Sequence, residues 1–164
     1  MVSYAKITRR VMEALPELRI IVKYGVGVDN IDLAAAHELG KYVANVPDYC
    51  IEEVALHTLS LTLAGLRRSF YFSEQVKRKN WLSDPGPEQI FRFSSTNLGL
   101  IGFGRISRKF AYFMERMVAR IYFYDPYVNN LDLDNKKYSH LESLEELIKR
   151  VKTLSIHVPF TAET

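Results

Sequence analysis

The residues best suited to chemistry are Gly102, Gly104 and the run Arg105-Ile106-Ser107 behind them. They follow directly on Leu98-Gly-Leu-Ile101, a short apolar run that reads as a buried strand, and they open a stretch with helical periodicity. Gly102 permits a tight turn, and Gly104 offers no side chain where a phosphate must come close to the backbone. The first amides of the following helix point outward with the positive end of the helix dipole, which suits an anion such as a pyrophosphate. Asp125 closes the next apolar strand, 23 residues after Gly102. A carboxylate there can accept hydrogen bonds from both hydroxyls of an adenosine ribose and would repel a 2′-phosphate, so the set points to NAD rather than NADP. Arg120, earlier on that strand, and Lys136, farther along the loop, do not offset the charge. Ser107 stands where a third glycine would ease helix–strand packing. From these residues alone two plainer readings stay open: a strand–helix connection without ligand, and Asp125 as the cap of a turn before Pro126. FAD or S-adenosylmethionine would also fit a glycine turn followed by a strand and an acid.

The elements that must position these residues can be read from patterning. A short amphipathic helix is expected over residues 5–15, stopping before Pro16. Leu18–Tyr24 is a β-branched run ended by Gly25. Asp32 can cap a helix that Gly40 ends, and Lys41–Val46 is a second strand, closed by Pro47. Strand, helix and strand in so few residues form one βαβ unit with parallel pairing. From Ile51 to about Lys79, Ile51, Ala55, Leu59, Leu63, Leu66 and Phe70 recur at helical spacing, and the uncharged stretch Val54–Leu66 reads as a buried helix. A single helix of that length would extend roughly 43 Å, so a bend near Gly65 or Ser69 is expected. Ser83–Glu88 is a cluster of breakers and reads as a linker. Beyond the glycine turn come a helix over Ile106–Val118, a strand over Ala119–Tyr124 and a polar loop, with Asn129, Asn130, Asp132 and Asp134, to about His140. Ser143-Leu-Glu-Glu146 is a capping box, and Lys152–Val158 is a strand that stops at Pro159. The chain reads as cut rather than complete, because a sheet of this kind carries a second half.

Composition narrows the classes of function. The chain has 164 residues, 48% of them apolar and 25% charged, with a net charge of +3, an ordinary globular balance. The basic residues are scattered and the densest group, Arg67, Arg68, Lys77, Arg78 and Lys79, reads as a solvated face, which argues against a nucleic-acid partner. A single cysteine, Cys50, rules out an internal disulfide and a cysteine-rich zinc site; no metal is expected, and a reduced cytoplasmic setting fits. No secretory signal opens the sequence, and the longest uncharged stretch is too short to cross a bilayer.

Several motifs in order then resemble one family. Tyr24-Gly-Val-Gly-Val-Asp-Asn-Ile-Asp32 and Asn45-Val-Pro-Asp-Tyr-Cys50 lead into Glu52-Glu-Val-Ala55. Leu98–Ile106, Tyr124-Asp-Pro126 and His157-Val-Pro-Phe-Thr161 follow. Together they resemble the D-isomer-specific 2-hydroxyacid dehydrogenases, with D-3-phosphoglycerate dehydrogenases and the corepressor branch among them, from about residue 7 onward. The resemblance implies an α/β chain: the first half of a Rossmann NAD-binding domain plus part of a flavodoxin-like substrate domain, joined by a long helix. Residues 1–50 would be the last part of the N-terminal substrate-domain lobe, 51–94 a spine helix and linker, and 95–164 the first half of the NAD-binding domain.

Carried over by position, the resemblance implies that Val26 and Gly27 present backbone amides to a substrate carboxylate. It also implies that Gly102, Gly104, Arg105 and Ile106 hold the pyrophosphate, that Asp125, beside Pro126, meets the adenosine ribose, and that His157, Val158 and Pro159 line the adenosine side. The substrate would be a small D-2-hydroxy or 2-keto acid, phosphoglycerate-like, and the full-length protein a homodimer. The family's catalytic histidine, glutamate and arginine fall beyond residue 164. His37, His57, His140 and His157 stand elsewhere, so no catalytic residue is assigned and these residues alone are expected not to turn over. Leu56 in place of an acid, Ser94-Ser-Thr-Asn97 before the strand and Ser107 depart from the family's pattern. Two other classes of function remain beside the enzyme: an NAD-responsive corepressor-like binding module, and a non-functional gene fragment.

Overall fold

A computed structural model of the chain describes residues 1–80, 90–128, 133 and 136–159. The expected linker at Ser83–Glu88 and the polar residues Asn129, Asn130, Asp132 and Asp134 lie outside the described residues. The described chain divides into two compact units, Met1–Cys50 with Pro159, and Ile51–Val158.

The first unit contains helix α1 (Arg9–Glu13), strand β1 (Ile20–Val22), helix α2 (Leu33–Glu38) and strand β2 (Tyr42–Ala44). The strands pair in parallel with Ile21 opposite Val43, the βαβ arrangement that patterning predicts, though each strand is only three residues long. Local chemistry sets the ends of α2. The Asp32 carboxylate accepts from the Ala35 amide at 2.9 Å, and Gly40 turns the chain out of the helix at φ +63°. Met12, Ile21, Ile31, Ala35 and Ala36 form a small core. The Lys23 ammonium is folded inward, donating to Asn30 Oδ1 at 2.7 Å and to the Ser3 carbonyl, which satisfies a charge that is otherwise buried.

The second unit opens with α3 (Ile51–Leu66) and α4 (Ser69–Lys77). The bend expected near Gly65 or Ser69 is present as a break between the two helices at Arg67 and Arg68. Arg68 takes φ +52°, in the left-handed region, and its guanidinium stacks 4.2 Å from the Tyr71 ring. The expectation of a buried helix is corrected. Of α3 only Ala55 is buried, while Leu56 and Leu61 are about half exposed. Period-3.6 patterning reports an apolar stripe, and here only the narrow stripe at Ala55 and Leu59 joins the core. Among the described residues no helix is long and apolar enough to cross a membrane.

The rest of the unit is a parallel sheet with helices. Strand β3 (Asn97–Ile101) is followed by α5 (Arg105–Met114), β4 (Arg120–Tyr124), β5 (Tyr138–His140), α6 (Leu144–Arg150) and β6 (Thr153–Ile156). The strand order is β5-β4-β3-β6, all parallel. Leu98, Leu100, Phe110, Ala111, Met114, Ile121 and Phe123 pack between α5 and the sheet. Ser143 caps α6 by accepting from the Glu146 amide at 3.2 Å. Strand β5 falls in a stretch that patterning assigns to loop, because Tyr-Ser-His shows no apolar alternation. It is ordered by its partners: backbone pairing with β4, the Tyr138 hydroxyl on Glu115 at 2.8 Å, and the Lys137 ammonium on the Val118 carbonyl in the turn that leads into β4.

Candidate functional site

The sheet order places the glycine turn. From β3 the chain moves outward through β4 to β5, then returns to place β6 on the other side of β3. Such a reversal opens a crevice beyond the carboxyl ends of the two central strands, where ligands of open α/β sheets bind. Gly102–Gly104 follows the end of β3 and His157–Val158 the end of β6, so both stand at that reversal.

Gly102 has φ +81°, which an L side chain rarely adopts. A Cβ there would also lie 2.7 Å from the His157 carbonyl oxygen and 2.8 Å from Val158 Cγ1. Its glycine is therefore demanded twice, by the turn and by the strand end behind it. Gly104 differs: a Cβ there would meet nothing within 4 Å. Gly104 is the N-cap of α5 with no side-chain cap, and no acidic residue stands in the first turn. Gly104 thus faces open space and its amide donates to no described residue, and this fits a pyrophosphate. Arg105 is exposed and Ile106 half-buried at this start.

Asp125 sits beside the turn. Its Oδ2 accepts from the Phe103 amide at 2.7 Å and its Oδ1 from the Tyr127 amide at 2.9 Å. The plainer reading of Asp125 as a turn cap is thus realised through Tyr127, and a second task is added, tying down the middle of the glycine turn. Each carboxylate oxygen retains acceptor capacity for a ribose hydroxyl. Pro126 follows it, exposed.

His157 contributes mainly through its backbone. Its amide donates to the Ile101 carbonyl at 2.8 Å, and its carbonyl backs Gly102. The ring lies 2.9 Å (Nε2) from Ser155 Oγ and 5.7 Å, centroid to centroid, from Phe110, and burial holds the imidazole pKa below its usual value. Val158 is half-buried and Pro159 exposed. Ser107 is fully buried in the third-glycine position, and its hydroxyl finds no partner among the described residues.

Phe103 and Arg108 carry no weight in the sequence motif, where one is a free position and the other lies beyond it. Phe103 is 1% exposed, stacks on Phe123 at 3.9 Å, and gives its carbonyl to Arg108 Nε at 2.8 Å. The available signal was an aromatic residue between the two glycines, which anchors the turn to the core.

In the first unit, Val26 and Gly27 lie exposed in the turn after β1, and neither amide donates to a described residue. The Val26 carbonyl is held by Asn45 Nδ2 at 2.8 Å. His37, His57 and His140 are exposed. Among the described residues no cluster of His, Cys, Asp and Glu could hold a metal. A groove of about 540 Å³ is lined by Leu63, Arg67, Phe91, Phe93 and Met117. It lies toward the segment that enters β3, away from the glycine turn.

A parallel half-sheet whose glycine turn opens at the reversal of strand order, with an acid closing the next strand, defines a dinucleotide-binding domain of the Rossmann type. The profile of the D-isomer specific 2-hydroxyacid dehydrogenase NAD binding domain matches residues 59–164, and the chain belongs to that family. It is 35% identical over 162 residues to D-3-phosphoglycerate dehydrogenase of Methanocaldococcus jannaschii, a match covering 99% of this chain and 30% of the relative. It is 32% identical to glyoxylate reductase of Korarchaeum cryptofilum, covering 96% of this chain and 48% of the relative. D-lactate dehydrogenase from Aquifex aeolicus, solved with NAD and lactic acid, superposes with a TM-score of 0.90 at 32% identity, over 98% of this chain and 48% of that one. The chain thus spans less than half the length of each.

Proposed function

We propose that the chain supplies the pyrophosphate and adenosine site of an NAD-dependent oxidoreductase acting on a D-2-hydroxy acid or its 2-keto counterpart. The observation that carries this reading is the uncapped start of α5 at Gly104, open at the reversal of strand order with Asp125 alongside. Gly102, Gly104, Arg105 and Ile106 surround the pyrophosphate, Asp125 and Pro126 the adenosine ribose, and His157, Val158 and Pro159 the adenosine side. When bound, NAD supplies a hydride acceptor for the carbon that carries the hydroxyl. Val26 and Gly27 offer their unengaged amides to the substrate carboxylate, a pairing of convergent donors with an anion. Phosphoglycerate, glyoxylate and lactate, which name the relatives, share an oxygenated carbon beside a carboxylate, and that is the substrate class proposed here, with a phosphoglycerate-like acid first among its members.

On this reading residues 1–50 belong to the substrate lobe, 51–94 to the spine and linker, and 95–164 to the first half of the cofactor domain, in a cytoplasmic homodimer. None of the four histidines stands where the family's acid–base residue does, so the 164 residues alone turn over negligibly. Titration with NADH and, separately, NADPH, following nicotinamide fluorescence, tests the cofactor assignment. Saturable binding with preference for NADH is expected; no binding by a cooperatively folded chain would refute it. NADH-dependent reduction of a 2-keto acid by the purified chain would refute the assignment of no catalytic residue.

A further inference from the structure

We propose that Arg108 is a positioning residue for the cofactor, holding the Phe103 carbonyl so that the Gly104 amide on the same peptide is aimed at the pyrophosphate. This rests on the NAD-binding reading above. The backbone of Phe103 is gripped at both ends by side chains of opposite charge. Its N–H donates to Asp125 Oδ2 at 2.7 Å, and its carbonyl accepts from Arg108 Nε at 2.8 Å. The peptide between Phe103 and Gly104 is planar, and its C=O and N–H point to opposite sides. Fixing the oxygen therefore fixes the direction of the Gly104 N–H, which donates to no described residue. A cation on the carbonyl also polarises the peptide and makes that N–H a stronger donor.

Side-chain sterics at Gly104 do not set this peptide. Gly104 stands at φ −75° and ψ −168°, one choice among many for a residue without a Cβ, and a Cβ there would meet no atom within 4 Å. Arg108 reaches it twice. Its amide closes the first turn of α5 on the Gly104 carbonyl at 3.0 Å, and its guanidinium holds the preceding carbonyl. The guanidinium carbon also lies 5.7 Å from the centre of the Phe103 ring, which is itself stacked on Phe123. The aim of one amide is thus referred back to the hydrophobic core through a charged side chain.

The test uses the whole chain labelled with 15N-glycine, whose eight glycines limit the amide spectrum to a readable set. Loss of one resonance in Gly104→Ala assigns the signal. In Arg108→Met, which keeps an apolar stem and removes the donors, the ligand-free Gly104 resonance is expected to move more than any other glycine. ADP affinity is expected to fall about tenfold, the scale of one charge-assisted hydrogen bond, with adenosine affinity unchanged. A stationary Gly104 resonance, or equal losses for ADP and adenosine, would overturn the proposal. Arg108→Gln makes the same comparison should the methionine variant not fold, with a smaller shift expected; an unmoved resonance again overturns it. If the unsubstituted chain binds neither ADP nor NADH, the NAD-binding reading fails by itself, and the ligand-free Gly104 resonance still decides whether Arg108 sets that amide.

Discussion

The turn after β1 and the turn after β3 both place a Gly-x-Gly run at the carboxyl end of a parallel strand, Gly25-Val-Gly27 in one unit and Gly102-Phe-Gly104 in the other. The middle residues separate them. Val26 lies exposed, while Phe103 is 1% exposed and stacked in the core. The glycines are also required for different reasons. A Cβ on Gly27 would approach Asp29 Oδ1 at 2.9 Å, the tip of an exposed side chain that can swing aside. A Cβ on Gly102 would meet the His157 carbonyl, which is backbone bonded into the sheet and cannot move alone. The same three-residue spelling therefore describes one loop that presents amides from the surface and one that is bolted to a core.

That contrast can be broken by substitution. Gly102→Ala combines a left-handed φ with a backbone clash and is expected to cost about 3 kcal/mol, read as a drop of roughly ten degrees in the melting temperature. A loss too small to resolve would mean the β3 turn is as pliant as the other. Asp125→Ala leaves the Phe103 and Tyr127 amides without their acceptor and is expected to cost about 2 kcal/mol in denaturant unfolding, together with NADH affinity. Asp125→Asn, which keeps one acceptor oxygen, should lose clearly less stability. Ser107→Ala removes a buried hydroxyl with no described partner and is expected to raise stability by about 1 kcal/mol; a loss instead would show that the hydroxyl is engaged. Gly27→Ala should change stability by less than about 0.5 kcal/mol, and a larger cost in the same melts would erase the distinction between the turns.

The smallest effect concerns pH. Burial keeps the folded His157 pKa below its ordinary 6.5. In the window between the two values the unfolded chain binds the proton and the folded chain does not, so the stability contributed by neutral His157 is full above the ordinary value. It is lost as pH falls through that window. Between about pH 7.5 and about pH 5, the melting temperature of the parent chain should fall slightly more than that of His157→Gln. Equal falls would show that the ring is not held neutral by its surroundings.

Comparing α3 with α5 shows where patterning succeeds and where it stops. Both helices show apolar spacing. In α5, Phe110, Ala111 and Met114 are buried against the sheet; in α3 only Ala55 is. Spacing reveals a face but not how much of it another element covers. The bend expected near Gly65 or Ser69 is by contrast legible, and it falls between the two, at Arg67 and Arg68. Gly65 itself stays inside α3, and the positive φ is taken by Arg68, which propensity does not foretell.

By itself the sequence determined what depends on neighbours along the chain. Asp32, Gly40 and Ser143 bound helices by bonds or dihedrals spanning a few residues, and Gly102 to Asp125 spell a strand, turn, helix and strand in order. Those motifs also sufficed to recognise the family. Only the tertiary structure decided what depends on residues distant in sequence. The return of β6 beside β3 sets the His157 carbonyl behind Gly102, 55 residues earlier. Pairing with β4 makes a strand of Tyr138–His140. The grip of Asp125 and Arg108 on Phe103 depends on a carboxylate brought in by the next strand and on an arginine one turn into the helix. Local bonds are encoded by residue type and spacing, whereas these contacts exist only once the sheet order has been chosen by burying Leu98, Leu100, Ile121 and Phe123 together.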